Sequence, residues 1–433
     1  MKTRVHVHPT LAALFRGLDD EGVVWCLLRG EANLAVPEGD VDLLIAPAHL
    51  PRLRRLAAHL GFAAVPAWGY GSHAFFVSYD AVGDSWIKLD VVTELAFGSD
   101  YALAAGAEAE CLERRRRVDG VPILSEDDAF WTLLLHRLLD KGDVGPRDTA
   151  RLPALAEGAQ TDSTLARTVE SLCPPGWSAD AIVAAASRGE WGSLTALGPR
   201  LAAAWRQDRR ADARRRTIAN RSHRWSGKVL RWSRRRGLRV ALLAPDGAGK
   251  STLTKGVEGN FFFPVRSINM GLYQVPRPRG RRHLPGPGLA RQLSRQWTGW
   301  VQGAYHQRRG RLVLFDRYAY DALLPTRFQY SRLGKARRWL LAHACPAPEL
   351  VVLLDAPGDV LYERKAEKTA ALLERQRRAY RGLLSRLPRA VIVDASREAE
   401  EVRPEVMAII WREYVRRWSG RYVNQDKDRA CGS

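Results

Sequence analysis

One short segment constrains the fold of this chain more than any other. The run Arg239–Leu243 has the composition of a buried strand, and a glycine-rich loop at 244–252 follows it at once, before a helix-compatible stretch. Further apolar runs follow that stretch. A strand, a loop and a helix in this order, with more strands behind them, are typical of a parallel sheet with crossover helices. We therefore predict a doubly wound α/β fold for the carboxy-terminal half.

The residue types of this loop suit a triphosphate. Gly247 and Gly249 let backbone N–H groups converge on phosphate oxygens, and the helix that follows adds the partial positive charge of its amino terminus. Lys250 can reach the β and γ phosphates, and the Ser251 hydroxyl can ligate Mg²⁺. We therefore predict that ATP and Mg²⁺ are bound here, by Asp246, Gly247, Ala248, Gly249, Lys250, Ser251 and Thr252.

A second segment delivers charged side chains to the same edge of the predicted sheet. The buried-type strand Leu312–Phe315 ends in Asp316-Arg317-Tyr318. Ligands of doubly wound sheets bind at the carboxyl ends of the strands, so Asp316 could hold the hydration shell of Mg²⁺ and Arg317 could take a phosphate bidentately. A salt bridge at the strand end, without a ligand, is the open alternative.

These pieces resemble the thymidylate kinases and the kinase-like proteins related to them. The resemblance runs from Gly237 to about Trp418 and includes the loop 246–252, the strand end at 316–318, the strand at 348–355 and the segment 391–396. It implies an ATP-dependent phosphotransferase, in which Lys250, Ser251, Asp316 and Arg317 would be phosphate and metal residues. It also implies that Arg364 belongs to a lid over ATP and that Ala395 and Ser396 lie near the adenine.

The acceptor region departs from that family. Bacterial thymidylate kinases carry a Thr-Arg-Glu-Pro-Gly-Gly-Thr loop after the second strand, whereas here Val265–Met270 leads into a Pro/Arg-rich segment at 271–282. That segment could close on a phosphorylated acceptor, or it could be a solvated loop. A nucleoside monophosphate is the leading acceptor, thymidine monophosphate being one example, and another phosphorylated or hydroxyl-bearing metabolite is the alternative. The candidate acceptor residues are Arg277, Arg279, Arg281 and Arg282.

The amino-terminal half carries carboxylates in a different pattern. Val23–Leu28, Val41–Ile45, Ala74–Val77 and Trp86–Val92 are predicted strands, and His49–Leu60 has helical spacing. Because strand side chains alternate, Asp40 and Asp42 point to one face and could share a divalent ion, with Asp90 as a third ligand from a neighbouring strand. Without a metal, repulsion between these carboxylates would raise the pKa of at least one of them, and we then expect Arg29 as their counter-ion. A solvated acidic strand edge, with Asp90 turned elsewhere, is the alternative.

Residues 23–150 resemble polymerase-beta-type nucleotidyltransferases. The matching pieces are Leu28-Arg29-Gly30, the run 39–44, the helix and turn that follow, and the strand that carries Asp90. The resemblance implies that Asp40, Asp42 and Asp90 are metal ligands and that Gly30 faces a triphosphate. Glu31 follows Gly30 where a small residue or serine is usual, and a carboxylate there would repel phosphate. An active transferase and a catalytically silent, ligand-binding fold both stay open. For the whole chain, the alternative to an enzyme is a regulatory or interaction protein in which both halves bind nucleotides without turnover.

Composition and spacing suggest how the chain is divided. We predict a nucleotidyltransferase-like domain at 1–122 and a helical extension at 123–203, with breaks at Pro146, Pro153 and 174–176. An arginine-rich linker at 204–236, a kinase-like domain at 237–420 and a polar tail at 421–433 follow. The linker places Trp225, Val229 and Trp232 on one helical face. We expect a solvated helix whose tryptophans dock on a neighbouring domain, rather than a contact with nucleic acid or an anionic membrane.

The charge and the cysteine content of the chain indicate which kinds of binding partner and which cellular compartment to expect. The formal net charge of +21 favours polyanionic partners, and we expect a small phosphate-bearing molecule; the oligomeric state stays open, a homodimer included. Apolar runs fall short of the roughly 18–20 residues of a membrane span, which favours the cytoplasm. The cysteines are scattered and odd in number, so we expect reduced thiols rather than disulfides or zinc.

Overall fold

A computed structural model describes residues 6–29, 34–65, 71–233, 237–271, 287–325, 331–385, 387 and 389–430. For residues 227–233, 287 and 418–430 this description covers the backbone alone. Contacts between residues divide the chain into two units: Met1–Ser78 with Trp86–Val229, and Tyr79–Ser85 with Leu230–Ser433. The boundary between Val229 and Leu230 falls inside the predicted linker, whereas the assignment of Tyr79–Ser85 to the second unit was not predicted.

The first unit is built on a mixed sheet of seven strands with a separate two-stranded ribbon. The strands are β1 (Trp25–Arg29), β2 (Asp40–Ile45), β3 (Ala63–Ala64), β4 (His73–Asp80), β5 (Ser85–Val92), β6 (Ala96–Phe97), β7 (Leu103–Ala104), β8 (Arg116–Val118) and β9 (Val121–Ile123). The order in the large sheet is β3-β4-β5-β2-β1-β9-β8. β2 pairs in parallel with β5 and antiparallel with β1, so residues of three separated segments lie side by side.

Helices of the first unit cover both faces of that sheet. They are α1 (Pro9–Asp20), α2 (Leu50–His59), α3 (Glu108–Glu113), α4 (Glu126–Leu135), α5 (Pro146–Ala156), α6 (Thr164–Leu172), α7 (Ala179–Ser187), α8 (Trp191–Asp208) and α9 (Arg210–Ser233), with a π-helix at His136–Lys141 and 3₁₀ turns at Pro47–His49 and Ser99–Tyr101. Val41, Leu43 and Ile45 of β2 pack with α1 and α2, while Leu44 packs with the helical extension. Strand alternation therefore places Asp42 on the same face as Leu44.

The second unit contains a five-stranded sheet in which every strand pair is parallel. The strands are β10 (Leu238–Leu243), β11 (Val265–Asn269), β12 (Leu312–Asp316), β13 (Leu350–Asp355) and β14 (Ala390–Asp394), in the order β11-β12-β10-β13-β14. The helices are α10 (Lys250–Asn260), α11 (Pro287–Arg308), α12 (Arg332–His343), α13 (Gly358–Arg364), α14 (Ala370–Leu384) and α15 (Ala399–Ala430), with a 3₁₀ turn at Ala319–Leu323. This is the parallel α/β architecture predicted for the carboxy-terminal half.

Two local expectations are wrong. Pro153 does not break the chain but lies inside α5, because its missing N–H costs a single hydrogen bond while Leu152 and Ala156 are buried on the same helix. Trp225 does not dock on a neighbouring surface, since 70% of it is exposed on α9. The side chains of Val229 and Trp232 lie outside the described part of the chain.

The arginine-rich segment is helical and bonds to its own unit. Arg216 of α9 makes two hydrogen bonds of 2.7 Å to Glu94, and Arg221 donates to Asp100 at 2.8 Å. Within the described residues, no helix has the length and apolar content to cross a membrane. The described cysteines, Cys26, Cys111, Cys173 and Cys345, form no disulfide.

Candidate functional site

The glycine-rich loop joins β10 to α10 through two left-handed residues. Gly247 has φ of 92° and Gly249, the N-cap of α10, has φ of 73°. A Cβ atom on Gly247 would lie 2.4 Å from the carbonyl oxygen of Leu361 in α13. Glycine is therefore required at 247 both for the backbone conformation and for close approach to the neighbouring helix.

Parallel pairing brings Asp316 to the base of this loop. Asp316 ends β12, in register with Leu242 of β10 and Asn269 of β11. The Lys250 ammonium lies 3.4 Å from Asp316 Oδ1, and Asn269 donates to Asp316 Oδ2 at 3.4 Å. Burial lowers the pKa of Lys250, and the nearby Arg317 lowers it further, against the opposing effect of Asp316. The structure thus brings the predicted pair Lys250 and Asp316 together.

Asp246 links the loop to two cations from distant parts of the chain. Its Oδ1 accepts a hydrogen bond of 2.7 Å from Arg317 Nη2, and its Oδ2 lies 2.6 Å from Lys368 Nζ. Burial acts to raise the pKa of Asp246, but Lys368 and Arg317 outweigh it and hold that pKa below its ordinary value. Lys368 lies in the segment between α13 and α14, a position that the sequence analysis did not select.

Arg317 is held from a second side by a carboxylate that sequence reasoning missed. Arg317 has φ of 65°, in the left-handed region. Its Nη1 lies 3.7 Å from Oδ2 of Asp321, whose Oδ1 accepts a 2.8 Å hydrogen bond from Tyr380. The available signal was a carboxylate four residues after Arg317, the spacing at which side chains meet along a helical turn.

The guanidinium of Arg364 bonds to the backbone of the segment that follows β14. It donates to the carbonyl oxygens of Ala395 at 2.6 Å, Ser396 at 2.8 Å and Arg397 at 3.1 Å. Ser396 Oγ and N–H both bond to Asp394 Oδ1. Arg364 therefore fixes the segment after β14, which includes the two residues that the family resemblance places near adenine. Ser251 and Thr252 are exposed in the first turn of α10.

The donor set of this site fits a hard divalent ion. Asp316 Oδ1 is buried and accepts no well-formed hydrogen bond from the described residues, although the Lys250 ammonium lies 3.4 Å away. Mg²⁺ prefers carboxylate and hydroxyl oxygens and keeps several waters, so one carboxylate oxygen and the Ser251 hydroxyl are appropriate ligands. The acceptor residues Arg277, Arg279, Arg281 and Arg282 lie outside the described residues.

In the first unit, two of the three predicted carboxylates are neighbours. Asp42 and Asp90 are register partners on β2 and β5, whereas Asp40 is exposed and pairs in register with Lys88. Arg29 Nε donates to Asp42 at 3.0 Å, and His73 Nδ1 lies 2.9 Å from Asp90 Oδ1. Burial raises the pKa of Asp42 against the pull of Arg29, and Asp90 raises it further.

These carboxylates do not form a metal site as they are arranged. Across the described ranges of the chain, no three His, Cys, Asp or Glu side chains are grouped so that they could hold a metal ion. Arg29 and His73 are instead the polar partners of Asp42 and Asp90. Gly30 and Glu31 lie outside the described residues.

A cavity opens on the same face of the first unit. Its volume is about 410 Å³, and its walls include Arg29, Phe97, Tyr101, His136 and Lys141. Asp100 and Tyr101, at φ of 59° and 51°, form one wall, and the π-helix forms another. Strained residues and π-helices are frequent at ligand sites, and both charged and apolar side chains line this cavity.

Part of the chain is similar in sequence to a protein named as a thymidylate kinase. No model of a protein family matches the chain. Over 118 residues, 25% of this chain, the sequence is 30% identical to a protein of Thermococcus onnurineus named a probable thymidylate kinase; the match covers 56% of that protein, so the chain spans just over half of its length. A solved thymidylate kinase from Candida albicans is 17% identical, with a TM-score of 0.34, over 40% of this chain and 91% of that one.

The close approach at Gly247 predicts a stability effect. Gly247→Ala would force a Cβ against the Leu361 carbonyl and strain the left-handed backbone, so we expect destabilisation of at least about 1–2 kcal/mol. Gly259→Ala is the matched control, because that helical glycine has no neighbour within 4 Å of an added Cβ; it should be neutral or stabilise by about 0.5–1 kcal/mol. Scanning calorimetry measures both, and equal melting of the two variants would contradict the packing described.

Proposed function

We propose that the second unit is an ATP-dependent phosphotransferase that acts on a small acceptor, with a nucleoside monophosphate or a related phosphorylated metabolite as the leading class. The observation that carries this proposal is the pair Lys250–Asp316 at the carboxyl edge of a parallel sheet, directly behind a loop whose two glycines are left-handed. The sequence similarity to a probable thymidylate kinase supports the same reaction type.

Each charged group has a role in such a transfer. Lys250 stabilises charge on the transferred phosphoryl group, since a preorganised cation in a partly desolvated site is worth more than one in water. Arg317 offers the guanidinium nitrogen that now bonds to Asp246 as a charged donor to a phosphate oxygen. Mg²⁺, held by Asp316 and Ser251, would supply charge neutralisation between the phosphates. The Asp246 carboxylate pairs with both Arg317 and Lys368 until a phosphate of the ligand replaces it.

Substrate binding then amounts to an exchange of ion pairs. In the structure Lys250 pairs with Asp316, and Arg317 and Lys368 pair with Asp246. A triphosphate brings anionic oxygens to the same cations, so the cost of breaking each internal pair is offset by a new one. No buried cation is left without an anion at either stage.

For the first unit we propose nucleotide binding, with nucleotide transfer as the second candidate. The cavity of about 410 Å³ and the strained residues in its wall support binding. The pairs Arg29–Asp42 and His73–Asp90 favour a fold that binds its ligand without a metal. Transferase activity, which the polymerase-beta-type resemblance implies, would require both carboxylates to exchange these partners for a divalent ion.

The kinase proposal predicts a large effect at Lys250. With nucleoside monophosphates, nucleosides and sugar phosphates as acceptors, ATP consumption by Lys250→Ala should fall about 10²–10³-fold, the scale for losing one preorganised electrostatic donor. Lys255→Ala, which removes an exposed lysine five residues along the same helix, is the matched control and should keep full activity. Equal rates for the two variants would exclude the proposed role of the loop.

The first unit can be tested separately in a Lys250→Ala background. Because Asp42 and Asp90 already have partners, we expect nucleoside triphosphate binding to be the same in Mg²⁺ and in EDTA. Asp20→Asn, an exposed carboxylate at the end of α1, controls for loss of one negative charge. A strict requirement for Mg²⁺ or Mn²⁺ that Asp42→Asn abolishes and Asp20→Asn does not would instead establish a metal-dependent transferase site.

A further inference from the structure

Asp321 is a carboxylate that lies buried beside the proposed phosphate site, and its burial requires a physical explanation. Its side chain is only 5% exposed, in the 3₁₀ turn that follows β12. Oδ1 accepts the hydrogen bond from Tyr380, and Oδ2 accepts none from the described residues, although Arg317 Nη1 lies 3.7 Å away. Burying a carboxylate is costly unless it is paired and hydrogen-bonded, so a half-satisfied one indicates a functional demand.

The group that Asp321 faces is itself strained. Arg317 holds a left-handed backbone although it carries a side chain, with φ of 65°. Gly271 packs so closely that an added Cβ would lie 2.9 Å from Arg317 Cδ. Such a backbone persists only where the surroundings determine it, and here Asp246 and Asp321 face two different nitrogens of the guanidinium.

These contacts close into a ring. Asp246 joins Arg317 to Lys368, and Lys368 donates to Gln376 Oε1 at 3.3 Å. Gln376 and Tyr380 lie four residues apart on α14, and Tyr380 returns to Asp321 beside Arg317. The position of the Arg317 guanidinium is therefore linked to α14 through two independent paths.

We propose that Asp321 is a positioning residue for phosphoryl transfer, which holds one end of the Arg317 guanidinium while the other end exchanges Asp246 for a phosphate oxygen. This inference rests on the proposed kinase reaction. The unequal distances support it: Asp246 contacts Arg317 at 2.7 Å, whereas Asp321 stands at 3.7 Å with one oxygen still available. When Asp246 is displaced, the planar fork of Arg317 closes on Asp321 and keeps its direction.

A pH dependence follows from the surroundings of Asp321. Burial raises the pKa of its carboxyl, and Asp246 adds to that, whereas the hydrogen bond from Tyr380 and the charges of Arg317 and Lys250 act in the opposite direction. Because the net shift is upward, Asp321 protonates at a higher pH than an ordinary aspartate. Protonation removes the negative charge that attracts Arg317, so turnover should decline on the acid side, starting above the usual titration range of aspartate.

Asp321→Asn tests this directly, because the amide has the same shape and its oxygen can still accept from Tyr380. We expect kcat to fall about tenfold or more, the KM for ATP to change less than twofold, and the acid decline of kcat to disappear. Asp359→Asn, an exposed aspartate at the start of α13, is the matched control and should behave as the unaltered chain does. Tyr380→Phe keeps the charge of Asp321, so it should lower the melting temperature while it retains the acid decline.

The outcomes separate this inference from the kinase proposal. If the unaltered chain consumes no ATP with any acceptor, the proposed reaction fails. If the unaltered chain is active and Asp321→Asn matches it in kcat and in pH profile, only the positioning role is wrong. A parallel loss of kcat and melting temperature in Asp321→Asn, with the acid decline intact, would assign Asp321 a purely structural role and overturn the inference.

Discussion

The parallel pairing of β10 with β12 is the constraint on which the second unit's site depends. It places Asp316 opposite Leu242, immediately before the loop that begins at Ala244. Every later contact uses this alignment: Lys250 reaches Asp316, Arg317 reaches Asp246, and the turn after Arg317 carries Asp321 back under the guanidinium. A shift of the strands by one residue would turn Asp316 to the other face and separate these groups.

The site also shows how a strongly basic chain keeps a cluster of cations close together. Lys250, Arg317 and Lys368 lie among the carboxylates of Asp246, Asp316 and Asp321. Each cation lies near at least one carboxylate, which offsets the cost of partial burial. Because each cation is already paired with a carboxylate, an anionic ligand can bind to it by replacing that carboxylate. In the first unit, Arg29 forms an ion pair with Asp42, and His73 lies within hydrogen-bonding distance of Asp90.

The local features of the second unit's site could be predicted from the sequence, whereas the residues that reach the site from distant parts of the chain could not. The strand, the left-handed glycines, Lys250, Asp316 and Arg317 could be predicted because their types and spacing follow from phosphate chemistry and strand–loop–helix geometry. Lys368 and Tyr380 could not, since Tyr380 meets Asp321 across 59 residues and no local pattern marks the pairing. For Arg364 the family resemblance suggested a lid, whereas its donors are used by backbone carbonyls after β14.

In the first unit, alternation along β2 predicted that Asp42 shares a face with a neighbouring strand, and Arg29 could be proposed as a counter-ion because carboxylates that lie together repel one another. His73, which comes from β4, could not be predicted, because the periodicity of a strand gives no information on which side chain lies opposite. Pro153 was predicted from a local rule that packing overrides, because burial outweighs one lost hydrogen bond in α5. Trp225 was predicted to dock but remains exposed on its arginine-rich helix.

The central claim is that the loop at 246–252 binds Mg·ATP through Lys250, and titration calorimetry of the full chain tests it most directly. The account predicts saturable binding to the unaltered protein in Mg²⁺ and binding at least tenfold weaker in Lys250→Ala, with Lys255→Ala unchanged. Each tenfold loss corresponds to about 1.4 kcal/mol of binding free energy. Absence of Mg·ATP binding by the folded, unaltered chain, or equal affinity in Lys250→Ala, would contradict the account.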